Sequence, residues 1–317
     1  MFRTIRLMLR CEPKASLEAR SSADHKLRRP MRDLTRDHSL LSLNTATVRK
    51  QGDLLAIVEA CARHGVRAVS PWRDQVAAVG LDRAGRAIKD AGLALSGYCR
   101  GGMFPADAAH AQEARDDNRR AVDEAAALGA PCLVLVVGGL PQFSRPGSAS
   151  SKDLAAAHAQ VEDGIGAVVE YARAANMPLA IEPLHPMYAA DRACVNTLKH
   201  ALDLCDRLDP ERDGWLGVAL DVYHVWWDPE LSAQIARCGA KRMLAYHVCD
   251  WLVPTRDLLL DRGMMGDGVI DLRRIRGEVE ALGFAGCVEV EIFSNDWWSR
   301  PMDEVIETCI ARHRTVV

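Results

Sequence analysis

Four short apolar runs in the C-terminal half of the chain each end on a side chain that could do chemistry. They supply Glu182 in PLAIEPLHP, Asp221 in GVALDVYH, His247 in LAYHVCD and Glu291 in VEVEIFS. Singly, each has a bland reading: an acid after a strand caps the next helix, and a lone histidine beside an apolar run is a hydrogen-bonded core residue. Brought together, three carboxylates and one imidazole would repel unless a cation neutralised them. Such a donor set is mainly oxygen and hard, suited to Mn²⁺, Mg²⁺ or Co²⁺, with Zn²⁺ less favoured; Mn²⁺ is the expected ion. Cys249 shares a strand face with His247 by the two-residue period, which leaves a softer metal open. Glu289 shares a face with Glu291. The second lies nearer the strand's C-terminal end and is the expected ligand, with Glu289 expected to support the ion and contact substrate, or else to be a deeper group held by a barrel Arg or Lys.

Further residues could meet a substrate. Arg100 in CRGGMFP stands beside two glycines that let backbone and guanidinium approach a substrate oxygen or phosphate; otherwise it is a turn residue. Trp72 in SPWRD could form an apolar wall or simply pack, and His185 in EPLHP could bind hydroxyls or hydrogen-bond its own loop. Arg256 and Arg262, in the long segment before GDGVIDL, could bind an anionic group, although a solvated surface is the default for both. The pairs Trp226–Trp227 and Trp297–Trp298 could line a sugar pocket or bury against a partner subunit.

What must position these groups is a regular alternation. Strand-like segments fall at 40–44, 66–70, 93–99, 131–137, 178–182, 215–221, 242–248 and 286–292. Helical three-and-four spacing fills 48–63, 82–91, 107–129, 152–175, 192–208, 230–238, 270–282 and 302–314. Several helices end on glycine, as in Ala127-Leu128-Gly129 and Ala281-Leu282-Gly283, where a left-handed residue releases the chain into the next strand. Eight strand–helix units predict a single-domain α/β fold, a (β/α)8 TIM barrel over 39–317. An open doubly wound sheet is the competing architecture, but no G-x-G-x-x-G follows the first strand. The longest loops, 138–151 and 249–269, follow strand C-termini, where barrel enzymes build their sites.

Composition agrees. The 317 residues are 49% apolar and 26% charged, enough for a large core, and no run approaches the roughly 18 apolar residues of a membrane helix. Residues 1–40 carry ten Lys/Arg against five Asp/Glu, leaving thirty against thirty-eight in the rest, so the body is acidic at −8 and the leader basic at +5. An acidic body disfavours a nucleic-acid surface. Residues 1–38 lack a secretory apolar stretch and are expected to be a disordered or spurious extension, with Met31 a plausible start. Ten scattered cysteines without a C-x-x-C pair read as reduced thiols of a cytoplasmic protein.

The runs IEPLHP, LDVYH, YHVCDW, GDGVIDL and EVEIFS together resemble the sugar phosphate isomerase/epimerase superfamily of xylose isomerase-like TIM barrels, over about residues 40–317. The resemblance implies that Glu182, Asp221, His247 and Glu291 are metal ligands. It also implies that Glu182 and Glu291 are catalytic, facing opposite sides of the reacting carbon, and that His224 contacts substrate oxygens. The segment VCDWLVPTRD after His247 departs from the epimerase branch, which has an Arg at a fixed short distance. The implied reaction is isomerisation or epimerisation of a sugar, polyol or keto-inositol by glutamate-mediated proton transfer through a metal-stabilised enediolate. A dehydratase on the same enolate chemistry, an apurinic endonuclease and a non-catalytic sugar-binding barrel are the alternatives. The expected partner is a small molecule, with neither nucleic acid nor membrane, and relatives of this fold often form homodimers or homotetramers.

Overall fold

The computed structural model describes residues 31–317. Its strands are β1 (Leu41–Asn44), β2 (Ala68–Ser70), β3 (Ala94–Leu95), β4 (Tyr98–Gly102), β5 (Leu133–Val136), β6 (Leu179–Ile181), β7 (Leu216–Asp221), β8 (Met243–Val248), β9 (Asp250–Trp251), β10 (Arg262–Gly263) and β11 (Val288–Val290). Nine of them form one sheet in the order β3-β2-β1-β11-β8-β7-β6-β5-β4, every pair parallel.

The two ends of that sheet are halves of one stave. The segment expected as a single strand at 93–99 breaks at Ser96-Gly97: β3 pairs with β2, whereas β4 pairs with β5. Ser96 Oγ is drawn inward by hydrogen bonds to Ser42 Oγ and Glu289 Oε2, and after Gly97 the Tyr98 N–H donates to Cys132 O instead of to β2. A parallel bridge from Trp72 to Cys99, with the Cys99 N–H donating to Pro71 O at 3.1 Å, closes the cylinder. The fold is therefore the expected TIM barrel, with eight staves built from nine strands.

Strand alternation decides what faces the lumen. Leu41 and Leu43 of β1, Leu179 and Ile181 of β6, Leu216, Val218 and Leu220 of β7, and Val288 and Val290 of β11 all join the core between barrel and helices. The other parity faces inward. It places Asn44, Asp221, His247 and Glu289 on the lumen side, and carries Glu182 and Glu291 there one residue beyond β6 and β11. A second, small-residue core of Cys99, Cys132, Val134, Ala180, Ala219 and Ala245 fills the lumen and leaves room for the long polar side chains.

The outer helices follow local signals. Asp53, Asp153 and Asp271 each accept a backbone N–H of the first turn they precede. Gly129 (φ 72°, ψ 33°) ends Ala111–Leu128 in the left-handed conformation that the glycine predicted. Several helix boundaries differ from expectation: the helix predicted from 192 starts at Leu198, where Thr197 caps it, and the one predicted from 107 starts at Ala111. The helix predicted from 48 starts at Leu54, because Asp53 caps it there, after a separate 3-10 turn at Thr45–Val48. The one predicted at 82–91 is preceded by another, Arg73–Val79, from which Gly80 (φ 88°) divides it.

Residues 31–38, assigned by sequence to the disordered extension, instead lie on the barrel. Leu34 is buried, and the Arg32 N–H and Nε donate to Glu280 at 2.8 and 3.1 Å, giving a buried carboxylate its partner. The remainder of that expected extension, 1–30, lies outside the described residues. Among the described residues no helix is long and apolar enough to cross a membrane, and the nine cysteines are free thiols.

Candidate metal centre

The stave ends bring Glu182, Asp221, His247 and Glu291 together: each offers a ligand atom, these atoms all lie within 4.8 Å of one another, and all four residues are buried. Register explains the convergence. Asp221 pairs with His247 across β7 and β8, and His247 with Glu289 across β8 and β11. Glu182 and Glu291 lie just past their strands yet keep the ladder, donating their N–H groups to Leu135 O and Val248 O at 3.1 Å.

His247 presents its two nitrogens to different partners. Nδ1 lies 3.2 Å from Glu182 Oε1 and 3.9 Å from Glu291 Oε2, while Nε2 is turned toward Glu289 Oε1 at 3.5 Å. Glu289 thus stands behind the imidazole, where a carboxylate fixes the orientation of a ligating ring. Among the described residues no Arg or Lys holds it; Asn44 Nδ2 and Ser96 Oγ donate to its two oxygens, each at 2.7 Å. The Asn44 amide also donates to Glu291 Oε1 at 2.9 Å and accepts from Trp72 Nε1 at 2.8 Å. Sequence reasoning missed Asn44, although it ends its strand just as the four principal residues end theirs.

Arg262 corrects the expectation of a solvated surface residue. The loop 249–269 folds back as a hairpin in which β9 and β10 pair antiparallel, and this carries Arg262 into the site, 4% exposed. Its Nη1 lies 2.7 Å from Asp221 Oδ2 and 3.1 Å from Glu291 Oε2, and its guanidinium sits over the Tyr223 ring at 4.5 Å. Asp250 pins the hairpin by accepting the N–H groups of Gly266 and Ile270 at 2.8 and 3.0 Å. A Cβ at Gly268 would meet Trp251 O at 2.1 Å, which is the reason for glycine in GDGVIDL. Cys249, the softer candidate ligand, lies outside the four-residue group, its Sγ 4.0 Å from Arg262 Nη1, and burial pushes its thiol well up.

Burial and crowding shift the acids and bases. Burial pushes the Glu291 carboxyl up to about 8, with Glu182 and Asp221 adding to the rise and Arg262 and His247 opposing it. Burial opposes charge on His247, yet Glu289, Glu182 and Glu291 together outweigh it and raise the imidazole well above its ordinary value. Asp221 is held low because Arg262, His224 and His247 overcome its burial. Burial takes His224 down to about 3. That ring faces a donor on both sides, the His185 N–H at Nδ1 and Arg262 Nη2 at Nε2, each 3.1 Å away. A neutral imidazole accepts at one nitrogen only, so one of these contacts is strained.

Above the centre opens a cavity of about 500 Å³, lined by Trp72, Arg100, Glu182, His224, Arg262 and Glu291 among others. Four of the seven residues expected to meet a substrate, Trp72, Arg100, His224 and Arg262, therefore share a space with the two glutamates. The other three do not line it. Glu289 is buried beneath, and His185 stacks on Trp251 at 5.0 Å and meets Trp227 edge-on at 5.7 Å. Arg256 is 58% exposed and spends its charge on Asp261 and Asp296. Of the tryptophan pairs, Trp298 lines the cavity, donating Nε1 to Ala46 O at 2.8 Å, whereas Trp226 packs on Trp251.

The donor set fits a hard divalent cation. With one guanidinium against this many buried carboxylates, Glu291 and His247 are driven to hold protons, and protons on ligand atoms are what a metal displaces. His247 Nδ1 is the nitrogen facing the other ligands.

Comparison with known proteins agrees with this fold. The family described as xylose isomerase-like TIM barrel matches residues 58–312. A protein of Sinorhizobium meliloti 1021 with a solved structure is 60% identical, with a TM-score of 0.83 over 88% of this chain and 99% of that one. Inosose isomerase of Bacillus subtilis (strain 168) is 27% identical over 120 residues, which span 36% of this chain and 41% of that relative. The fold is also shared with the IOLI protein carrying a bound zinc atom, at 18% identity and a TM-score of 0.70 over 87% of this chain and 99% of that one.

Proposed function

The chain belongs to the xylose isomerase-like TIM-barrel family, and on that premise we propose that it is a metal-dependent isomerase or epimerase of a sugar or sugar-like polyol ketone, working with Mn²⁺. The observation that carries this reading is the convergence of Glu182, Asp221, His247 and Glu291, with ligand atoms within 4.8 Å, at the floor of an open cavity. A divalent ion bound there supplies polarisation of the substrate carbonyl, which acidifies the neighbouring C–H.

The proton is then handled by the chain itself. Glu182 and Glu291 stand on staves separated by β7 and β8, so their carboxylates reach the cavity from different sides. A carboxylate oxygen of one takes the α proton. Returning it from the same glutamate to the adjacent carbon, while the hydroxyl proton passes from one substrate oxygen to the other, interconverts aldose and ketose, and delivery from the other glutamate to the opposite face of the original carbon inverts that centre. His224 meets substrate oxygens, Trp72 walls the cavity with its ring, Arg262 balances Asp221 and Glu291, and Glu289 positions His247. The catalytic unit is residues 39–317, and Arg256 and His185 act only through the shape of their loops.

The test is proton exchange. In D₂O, Mn²⁺-loaded protein is expected to place deuterium beside the carbonyl of one among a panel of ketoses and inososes, followed by NMR. Glu291→Gln should abolish the exchange while sugar binding persists. A panel in which no compound ever exchanges would sink the proposal.

A further inference from the structure

We infer that the cavity contains an anion subsite formed by Arg100 and Arg192, and that the substrate carries a carboxylate or phosphate group remote from its reacting carbonyl. This rests on the isomerase reading for the identity of the substrate, but the subsite itself rests on uncommitted charge. Five cations line the cavity with Glu182 and Glu291: Arg49, Lys50, Arg100, Arg192 and Arg262. Arg262 is spent on Asp221 and Glu291, Arg49 pairs with Asp74, and Lys50 is exposed, its charge screened by solvent.

Arg100 and Arg192 are different. Both are half-buried, and among the described residues neither guanidinium has a hydrogen bond or an ion pair. The Arg192 head rests against the Tyr188 ring, 5.6 Å from its centroid, and Tyr188 lines the same cavity. Both arginines line one cavity; burial disfavours the charge of Arg100, and the charge of Arg192 adds to that. Asp117, the carboxylate that attracts Arg100, is already taken by Arg73, Arg120 and Arg145, each at 3.3 Å.

Two like charges held together away from bulk water without a counterion cost energy, and a bound anion removes that cost. A neutral sugar would leave both forks unmatched, whereas the planar guanidinium matches a carboxylate or phosphate through paired N–H donors. The backbone supports this placement. Arg100 sits in β4 beside Gly101 and Gly102, where a Cβ would approach Leu135 Cδ2 to 2.9 Å and Val136 O to 2.0 Å, so the stave lies tight on β5 at this point.

Calorimetric titration of the Mn²⁺-loaded protein with inorganic phosphate, D-gluconate and neutral D-sorbitol tests the subsite. At least one anion should bind and sorbitol should bind more weakly; which anion binds separates a phosphate-bearing from an acid substrate. Arg100→Gln and Arg192→Gln should each weaken the anion about tenfold, and Arg192→Lys by less, since it keeps charge but loses the fork. Unchanged melting certifies that the variants fold. Glu291→Gln should retain the anion.

Affinity unaltered in both arginine variants, or no preference over sorbitol, overturns the subsite. Deuterium exchange separates it from the functional reading. Exchange into neutral ketoses as efficient as into their anionic counterparts, and insensitive to the arginine variants, overturns the subsite and leaves the isomerase standing. Arginine-dependent anion binding without exchange into any ketone supports the subsite and overturns the isomerase.

Discussion

Arg262 Nη1 lies 2.7 Å from Asp221 Oδ2, so a guanidinium delivered by a loop shares a carboxylate with the proposed metal centre. The arrangement balances part of the acidic charge from within the chain. It also sets the protein and a divalent ion in competition for the same oxygens.

Removing that guanidinium leaves buried carboxylates without compensation. Arg262→Gln is expected to lower stability by about 3–5 kcal/mol in the presence of a chelator. Mn²⁺ should restore most of the loss, so that the metal-induced rise in melting temperature is larger in the variant than in the wild type. Equal rises in the two proteins would show that Arg262 and the ion do not share Asp221.

Asn44 ties Glu289, Glu291 and Trp72 together through one amide. Asn44→Ala should cut kcat about 10–100-fold, the usual effect of losing a group that orients a ligand, and should change KM less. Asn44→Asp puts another carboxylate against two existing ones and should be the worse variant. Steady-state kinetics on the substrate found by deuterium exchange reads both.

His313 gives the barrel an acid sensitivity independent of the site. Its ring is buried and among the described residues neither nitrogen has a partner, and burial, reinforced by Arg276 and His38, holds it down to about 4. An unfolded chain protonates histidine near 6.5, so the contribution of the neutral ring is intact above that pH and is lost as pH falls toward 4, by up to about 3 kcal/mol. Urea denaturation at pH 7.5 and pH 5 should show the decline, and His313→Leu should flatten it. An identical slope in the variant would contradict the assignment.

Gly102 has φ +103°, and a Cβ there would meet Val136 O at 2.0 Å. Gly102→Ala should cost more than about 2 kcal/mol by backbone collision. Gly92→Ala, at φ +70° with nothing within 4 Å of the added carbon, should cost only about 1 kcal/mol. Thermal melts of the pair separate close packing from conformational preference.

Most of what positions the centre was readable because it depends on short-range pattern. Apolar runs ending in Glu182, Asp221, His247 and Glu291 mark staves, and period-two alternation aims their last side chains inward. Arg262 escaped because its burial is created by a hairpin that pairs residues eleven positions apart, and nothing in VPTRDLLLDRG distinguishes it from Arg256. The structure separates the two: one reaches Asp221, and the other is neutralised outside by Asp261 and Asp296. The split at Ser96-Gly97 was hidden inside the uniform run LALSGYC, because its cause is the distant carboxylate of Glu289.

The hairpin from Asp250 to Gly263 has a consequence for how this scaffold can diversify. Carboxylates and imidazole are rooted in staves whose replacement would dismantle the cylinder, whereas Arg262, Leu259 and Leu260 arrive on a detachable insert. Exchanging that insert while keeping an arginine at position 262 should reshape the cavity wall without rebuilding the proposed metal centre. Grafting a foreign hairpin between Cys249 and Gly266, with Asp250 retained as its anchor and Arg262 as its counter-charge, is the natural route to a reshaped cavity.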